Sequence, residues 1–409
     1  MNNECNVIVI GAGASGMMAA LSAEKSGANV VIIERNASAG KKLAATGNGR
    51  CNFTNSDADN MANYYSENKQ AAGRVLSRLP VANILDMFDA MGITPNMEDA
   101  GKYFPLSGQA SSVVEILERN LVDAGVDIIY GTKVNAIDTT GKKLRVIAEN
   151  GVFEADRVII AAGGMASPDL GSDGSAYELA KSIGHTVTGL MPVIVQLKTK
   201  DGFYKRLNGL RINAEVSLIV EDRVVRKERG DVMFYDYGLS GSTVFRLSCQ
   251  AAYALAAGKK VWISLNLAPV YTQKVLNEYI TSRCAGFGHT AEEMLVGFIH
   301  KKLIPLVVDA SGTDKQKNTD KFCKREIDAL CRAVSDMRFV ITGTKGWENA
   351  QATAGGIPLN EIDIDTLRSK FDSRIGFCGE ILDVAGECGG FNLTWAWASG
   401  FVCGSCITK

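Results

Sequence analysis

Residues 7–34 constrain this chain more than any other stretch. Val7-Ile8-Val9-Ile10 is a β-branched apolar run, the pattern of a strand buried on both faces. It leads straight into Gly11-Ala12-Gly13-Ala14-Ser15-Gly16. Met17 to Ser26 then has helix-forming composition and stops at Gly27, in the position of a C′ glycine. A second apolar run, Asn29 to Ile33, ends in Glu34, eighteen residues after Gly16. This is G-x-G-x-x-G between strand and helix, with an acid closing the second strand. Gly11 permits the tight turn, Gly13 lets backbone approach a pyrophosphate, and Gly16 lets the helix pack closely on the strand. Ala14 and Ser15 open the helix, whose free N–H groups and partial positive charge suit phosphate. Glu34 is placed to accept hydrogen bonds from ribose hydroxyls. An isolated G-x-G-x-x-G is weak, but strand, turn, helix, strand and acid together predict a dinucleotide rather than a glycine-rich structural turn.

The same region has a competing reading, because residues 5–23 carry no charge. A signal peptide or membrane anchor needs a basic flank, and Met1-Asn2-Asn3-Glu4 has neither Lys nor Arg. The run is also broken by Gly11, Gly13 and Gly16, so no membrane partner is expected. Ten cysteines in 409 residues are too sparse for a disulfide scaffold, which predicts a cytoplasmic protein. Lys and Arg number 44 against 45 Asp and Glu, a net charge of −1 that argues against a nucleic-acid partner. Glycine stands out at 42 residues against 8 prolines, which needs a backbone explanation.

The loop after Glu34 favours FAD over a nicotinamide as resident cofactor. Gly40-Lys41-Lys42-Leu43-Ala44-Ala45-Thr46-Gly47-Asn48-Gly49-Arg50-Cys51-Asn52 holds three glycines and three cations, enough to wrap a second part of a long cofactor. With the opening GAGASG and the pair Glu34-Arg35, this loop resembles the BaiN/YhiN-type FAD-dependent oxidoreductases of the glutathione-reductase-like FAD superfamily. The likeness extends through Tyr103-Phe104-Pro105, Ala110 to Val114, and Ile159-Ile160-Ala161-Ala162-Gly163-Gly164, where Ala162 replaces a usual Thr. It continues through Thr353-Ala354-Gly355-Gly356-Ile357, Gly379-Glu380-Ile381-Leu382-Asp383, and Gly389-Gly390-Phe391-Asn392-Leu393-Thr394-Trp395-Ala396. The resemblance implies cofactor contacts at Gly11, Gly13, Ala14, Ser15, Gly16, Glu34, Arg35, Lys42, Thr46, Gly47, Gly49, Arg50, Cys51 and Asn52. It extends them to Val134, Ala162, Gly163, Gly164, Gly356, Glu380, Asp383, Gly390, Asn392 and Leu393.

The chain reads as an α/β protein. Residues 1–190 and 353–409 form a discontinuous Rossmann-like FAD-binding domain. Residues 191–270 and 337–352 form an inserted antiparallel β domain, expected to cap the flavin, and 271–336 a small helical insert. Val193–Leu197, Ile212–Val220 and Val261–Leu267 show period-two alternation. Thr290-Ala291-Glu292-Glu293 is a capping box opening a helix toward Ile299, Asp309 to Asp320 a polar loop, and Lys321 to Asp336 a helix.

Where relatives carry F-T-H-Y-G-L-S-G-P, this chain has Phe234-Tyr235-Asp236-Tyr237-Gly238-Leu239-Ser240-Gly241-Ser242, with Asp236 for His and Ser242 for Pro. Tyr235, Asp236 and Tyr237 are the candidates for proton donation or substrate binding, against a plain strand with cross-strand aromatics. Cys403-Gly404-Ser405-Cys406 is a CxxC, and Cys51 sits in the cofactor loop; both read more readily as small buried residues than as redox thiols. His185, His289 and His300 are scattered, without metal-ligand spacing. The resemblance implies hydride transfer from reduced flavin to an activated carbon–carbon double bond of a small molecule, with NAD(P)H as electron donor. The competing readings are a redox-sensing flavoprotein without turnover and a tRNA-modifying flavoprotein.

Overall fold

The computed structural model describes residues 5–200, 206–287 and 289–409. The chain divides into two compact units. One holds the chain up to Val193 and from Trp347 onward; the other is Ile194–Gly346. The crossings fall at 193/194 and 346/347, against the expected 190/191 and 352/353.

The first unit is Rossmann-like. Strand β1 (Cys5–Ile10) pairs in parallel with β2 (Ala28–Ile33) on one side and Arg157–Ile160 on the other. Asp127–Ile129 and Ile375–Phe377 complete a five-stranded parallel sheet. Val7, Val9, Ile32 and Ile159 are fully or almost fully buried, as their uninterrupted apolar runs require of a sheet covered on both faces. Helix α1 (Ala14–Lys25) follows the glycine turn and ends at Gly27, which takes φ +85° and donates its N–H to Glu24 O.

The last helix, Phe391–Cys406, lies against α1 along a seam of small residues. A Cβ on Gly400 would stand 2.5 Å from Ser15 O, and one on Gly404 2.2 Å from Ala19 O. On α1, Ser15, Ala19 and Ala23 are all buried. Trp395 and Trp397 are fully buried and satisfied, donating their indole N–H to Gly379 O at 3.0 Å and Phe53 O at 2.9 Å.

The second unit contains a closed antiparallel barrel. Its strands run in the order Leu197–Thr199, Gly238–Ser240, Arg223–Tyr235, Arg211–Val220, Val261–Asn266 and Met337–Thr344, the last pairing back to the first. The charged helices expected to stand apart share one apolar core with it: Ile280, Leu295, Val307 and Leu330 cluster with Val216, Ile263 and Phe339. Several local readings are corrected. Val193–Leu197 is not one strand; it breaks at Ile194, which takes φ +51°. The Thr290–Glu293 capping box forms with both reciprocal bonds, but its helix stops at Leu295. Ile304–Ser311 is helical, so the polar loop starts later than Asp309. Arg223–Tyr235 is a strand whose six charged residues of thirteen hide its alternation in the sequence, and Ser242–Ala256 is a further helix.

His185 anchors one segment of the first unit. Its ring nitrogens contact Glu361 Oε2 at 2.9 Å and Ser369 Oγ at 2.8 Å, between the edges of Phe371 and Phe377. Burial pushes the imidazole pKa down, outweighing the opposite pull of Glu361. Burial also acts to raise Glu361, but hydrogen bonds from Thr186 and His185 outweigh it and hold that carboxyl below its usual range. Both folded-state values lie below the unfolded ones, so the stability they contribute is complete above an unfolded His pKa of ~6.5. It is lost as pH falls through the folded values. Denaturation midpoints are therefore expected to drop on acidification from neutrality, and His185→Gln should flatten that drop. An unchanged slope in the variant would contradict the assignment.

Candidate functional site

The glycine turn separates three roles by space. Gly11 takes φ +103° and a Cβ there would lie 2.9 Å from Ala161 O. A Cβ on Gly16 would lie 1.9 Å from Gly11 O, so the helix cannot pack as it does with any other residue. Gly13 differs: its φ is −82°, and no heavy atom lies within 4 Å of where its Cβ would stand. As N-cap of α1 it offers no side-chain cap, leaving the first-turn N–H groups of Ala14 and Ser15 free beside that space.

Glu34 is buried and held by backbone. Its Oε2 accepts from Ala12 N at 2.7 Å, and its Oε1 from Asn36 N and Asn36 Nδ2. Those bonds fix the carboxylate at the edge of the turn and leave lone pairs for further donors. Val134 opens the strand Val134–Asp138, two residues after Thr132, whose N–H donates to Glu34 O at 2.9 Å. Arg35 turns away to pair with Asp173 at 2.5 Å. Burial opposes ionisation of Asp173, but Ser175 and Arg35 outweigh it and bring its pKa down to about 2.

The expected loop at 40–52 is partly helical. Helix α2 (Lys41–Gly49) starts at Gly40 and breaks at Thr46, after which Gly47, Asn48, Gly49 and Cys51 all take positive φ. A Cβ on Gly47 would meet Asn52 N at 2.9 Å. Arg50 is exposed, forks onto Glu98 and lies 4.3 Å over the Phe104 ring. Its guanidinium is therefore occupied by the protein. Cys51 is fully buried, and burial pushes its thiol up to about 12, so it is not a reactive thiolate.

Lys42 ties this helix to the other glycine segments. Its Nζ meets Glu380 Oε2 at 2.8 Å, and Glu380 Oε1 accepts Thr353 N at 2.9 Å. Thr353 Oγ1 in turn accepts Met165 N and Ala166 N. Ala162, Gly163 and Gly164 leave the central sheet beside this network, and a Cβ on Gly164 would lie 2.5 Å from Thr353 Oγ1 and 2.7 Å from Glu380 Oε1. A Cβ on Gly356 would stand 2.5 Å from Ile381 O and 3.0 Å from Asp383 N. Asp383 is buried, which raises its pKa, and accepts one bond, from Glu67 N.

Gly390 is the N-cap of the last helix at φ +101°, pressed against Thr54 O, and it too provides no side-chain cap. The N–H groups of Asn392 and Leu393 open that helix. The Asn392 side chain itself clamps Gly386, accepting from its N and donating to its O, both at 2.8 Å. Asn52 Oδ1 and Ser172 Oγ are buried with no hydrogen-bond partner. The open space at Gly13, two uncapped helix starts and these orphaned oxygens fit a dinucleotide such as FAD.

Tyr235, Asp236 and Tyr237 lie in the second unit. Asp236 and Tyr237 form the turn between Arg223–Tyr235 and Gly238–Ser240, not the expected strand. Tyr235 and Tyr237 stack at 5.3 Å between centroids, with planes 4° apart. Burial, with Tyr235 and Asp236 adding to it, pushes the Tyr237 hydroxyl up to about 12. Lys345 Nζ lies 3.9 Å from the Tyr237 ring centroid. Nothing in the sequence singles out Lys345, because it acquires this place only through barrel closure. Cys403 and Cys406 are buried free thiols, and burial raises the Cys403 pKa, helped by Cys378. Among the described residues no His, Cys, Asp or Glu cluster could hold a metal, and no helix is long and apolar enough to cross a membrane.

Several known proteins are similar to this chain. The 3-dehydro-bile acid delta(4,6)-reductase of Clostridium scindens is 37% identical over 402 residues, 97% of each chain. The ribosomal RNA dihydrouridine synthase of Escherichia coli is 28% identical over 403 residues, 97% of this chain and 96% of its own. A solved 3-ketosteroid delta1-dehydrogenase from Sterolibacterium denitrificans shares the fold, with a TM-score of 0.52 at 12% identity over the full length of both chains. The HI0933-like protein Rossmann domain family matches residues 5–406. The chain belongs to this family of Rossmann-fold FAD proteins, of the BaiN/YhiN type.

Proposed function

We propose that this FAD-dependent oxidoreductase reduces a carbon–carbon double bond conjugated to a carbonyl in a small molecule, with NADH or NADPH as electron source. The observation that carries this reading is the 37% identity, over nearly all of both chains, to a reductase named for such a bond. Bound FAD supplies the hydride-transfer chemistry. The open face at Gly13 and the first turn of α1 receive the pyrophosphate, and Glu34 receives ribose hydroxyls. The start of the last helix offers N–H groups and positive potential to negative charge. Lys42 holds Glu380, which fixes the Thr353 segment beside Gly164. Tyr237, protonated throughout the neutral range, is the proton-donor candidate. The test is anaerobic reduction of the purified yellow protein by NADH or NADPH, followed by reoxidation with enones and quinones. Reoxidation by quinones alone would defeat the reading.

A second reading, reduction of a uridine in RNA, is favoured by one observation besides the dihydrouridine synthase relatives. The net charge of −1 conceals a partition. Residues 194–346 carry 24 Lys and Arg against 16 Asp and Glu, a surplus of eight; the rest carries 20 against 29, a deficit of nine. A basic unit of this kind suits a polyanion. RNA binding that weakens steeply with salt supports this reading, and salt-independent or absent binding removes it.

A further inference from the structure

Residues 169–174 bridge two segments of the first unit that border the cofactor site. On one side, Asp169 O accepts Lys41 Nζ at 3.0 Å, Gly171 presses against Asn36, and Asp173 pairs with Arg35. On the other, Gly174 N–H donates to Gly164 O at 3.0 Å. Ser172 sits in the middle of this bridge with 4% of its surface exposed. Its Oγ is buried and has no hydrogen-bond partner among the described residues. The oxygen faces Gly163, where a Cβ would stand 3.0 Å away and where φ is +77°.

The bridge is fastened without this hydroxyl, since every contact above comes from another residue. A buried hydroxyl with no partner loses hydration and gains nothing in return, so Ala at 172 would serve the unliganded chain at least as well. The hydroxyl therefore calls for a partner from outside the chain. Its surroundings identify the chemistry. Gly163 follows Ala161, whose carbonyl lies beside the Gly11 turn, and Asn36 holds Glu34 Oε1 through its N–H and Nδ2. Those segments receive pyrophosphate and ribose, whose oxygens are acceptors for an O–H.

We infer that Ser172 is a cofactor-binding residue whose hydroxyl donates to an oxygen in the adenosine diphosphate half of FAD. The inference rests on the placement of pyrophosphate at Gly13 and ribose at Glu34. It adds a side-chain donor to the free N–H groups of the α1 start and the Glu34 acceptor. It concerns cofactor affinity, so it stands whether or not an enone is reduced.

The test is competition on the full-length FAD-loaded protein, with ADP and riboflavin as probes for the two halves of the cofactor. Ser172→Ala is expected to weaken FAD and ADP alike by about tenfold, equivalent to ~1.4 kcal/mol, and to leave riboflavin within about twofold. Stripped of flavin, the variant should unfold at a urea midpoint no lower than that of the native apoprotein, because no protein partner has been lost. Equal weakening of ADP and riboflavin, or a lower apoprotein midpoint, would show a structural role and overturn the assignment. An unchanged ADP affinity would overturn it too. If riboflavin displaces FAD from the native protein and ADP does not, the pyrophosphate placement itself fails and the assignment falls with it.

Discussion

The Gly13→Glu protein is expected to fold normally and to purify without its yellow colour. Gly13 has φ −82°, which any residue adopts, and nothing lies within 4 Å of its Cβ position. The side chain therefore enters the space assigned to the pyrophosphate without disturbing the turn. A carboxylate about 4 Å from a phosphate charge costs roughly 4 kcal/mol at an effective dielectric of ~20. That is about three orders of magnitude in FAD affinity. The control is Gly16→Ala, whose single methyl would sit 1.9 Å from Gly11 O. That variant should lose folding and flavin together, whereas Gly13→Glu loses flavin alone. Circular dichroism and flavin absorbance on the same samples separate the two. A yellow, stoichiometrically loaded Gly13→Glu protein would refute the cradle.

Gly404→Val should give the largest loss of stability among single changes remote from the cofactor. Its Cβ would stand 2.2 Å from Ala19 O and 2.8 Å from Ser22 Cβ, so the clash is with helix backbone that cannot rotate aside. The last helix and α1 must separate, and the buried Trp395 and Trp397 lie on the helix that moves. Overpacking of this kind costs about 3 kcal/mol or more. Because α1 also carries the free N–H groups beside Gly13, FAD affinity should fall with stability, read as a lower urea midpoint and faster flavin release. An unfolding free energy within ~0.5 kcal/mol of the native protein's would show that the seam is not tightly packed.

What was legible in the sequence was local. Val7 to Glu34 declares strand, turn, helix and strand because periodicity and glycine placement lie within one short window. The parallel pairing of β1 with β2 follows from that unit. Partners far along the chain were not legible. Arg50 reads as a free cation until Glu98 is found beside it, and Asn392 reads as a flavin contact until its side chain is seen clamping Gly386. Gly400 and Gly404 carry no motif significance until α1 lies against them. Charge shows the same loss of information, since a net value of −1 averages away a basic unit and an acidic one. A family pattern marks Tyr235 and Tyr237, whereas Lys345, over a hundred residues later, reaches the Tyr237 ring only when the barrel closes.

The most direct measurement sets two oxidants against one reduced sample. The FAD-loaded protein is reduced anaerobically with NADPH or NADH, and reoxidation of its flavin is followed on adding either a 3-oxo-delta4 steroid or a uridine-containing ribosomal RNA fragment. Stoichiometric return of the oxidised flavin spectrum with the enone is expected, with formation of the saturated ketone. Reoxidation by the RNA fragment with none by the enone would contradict it.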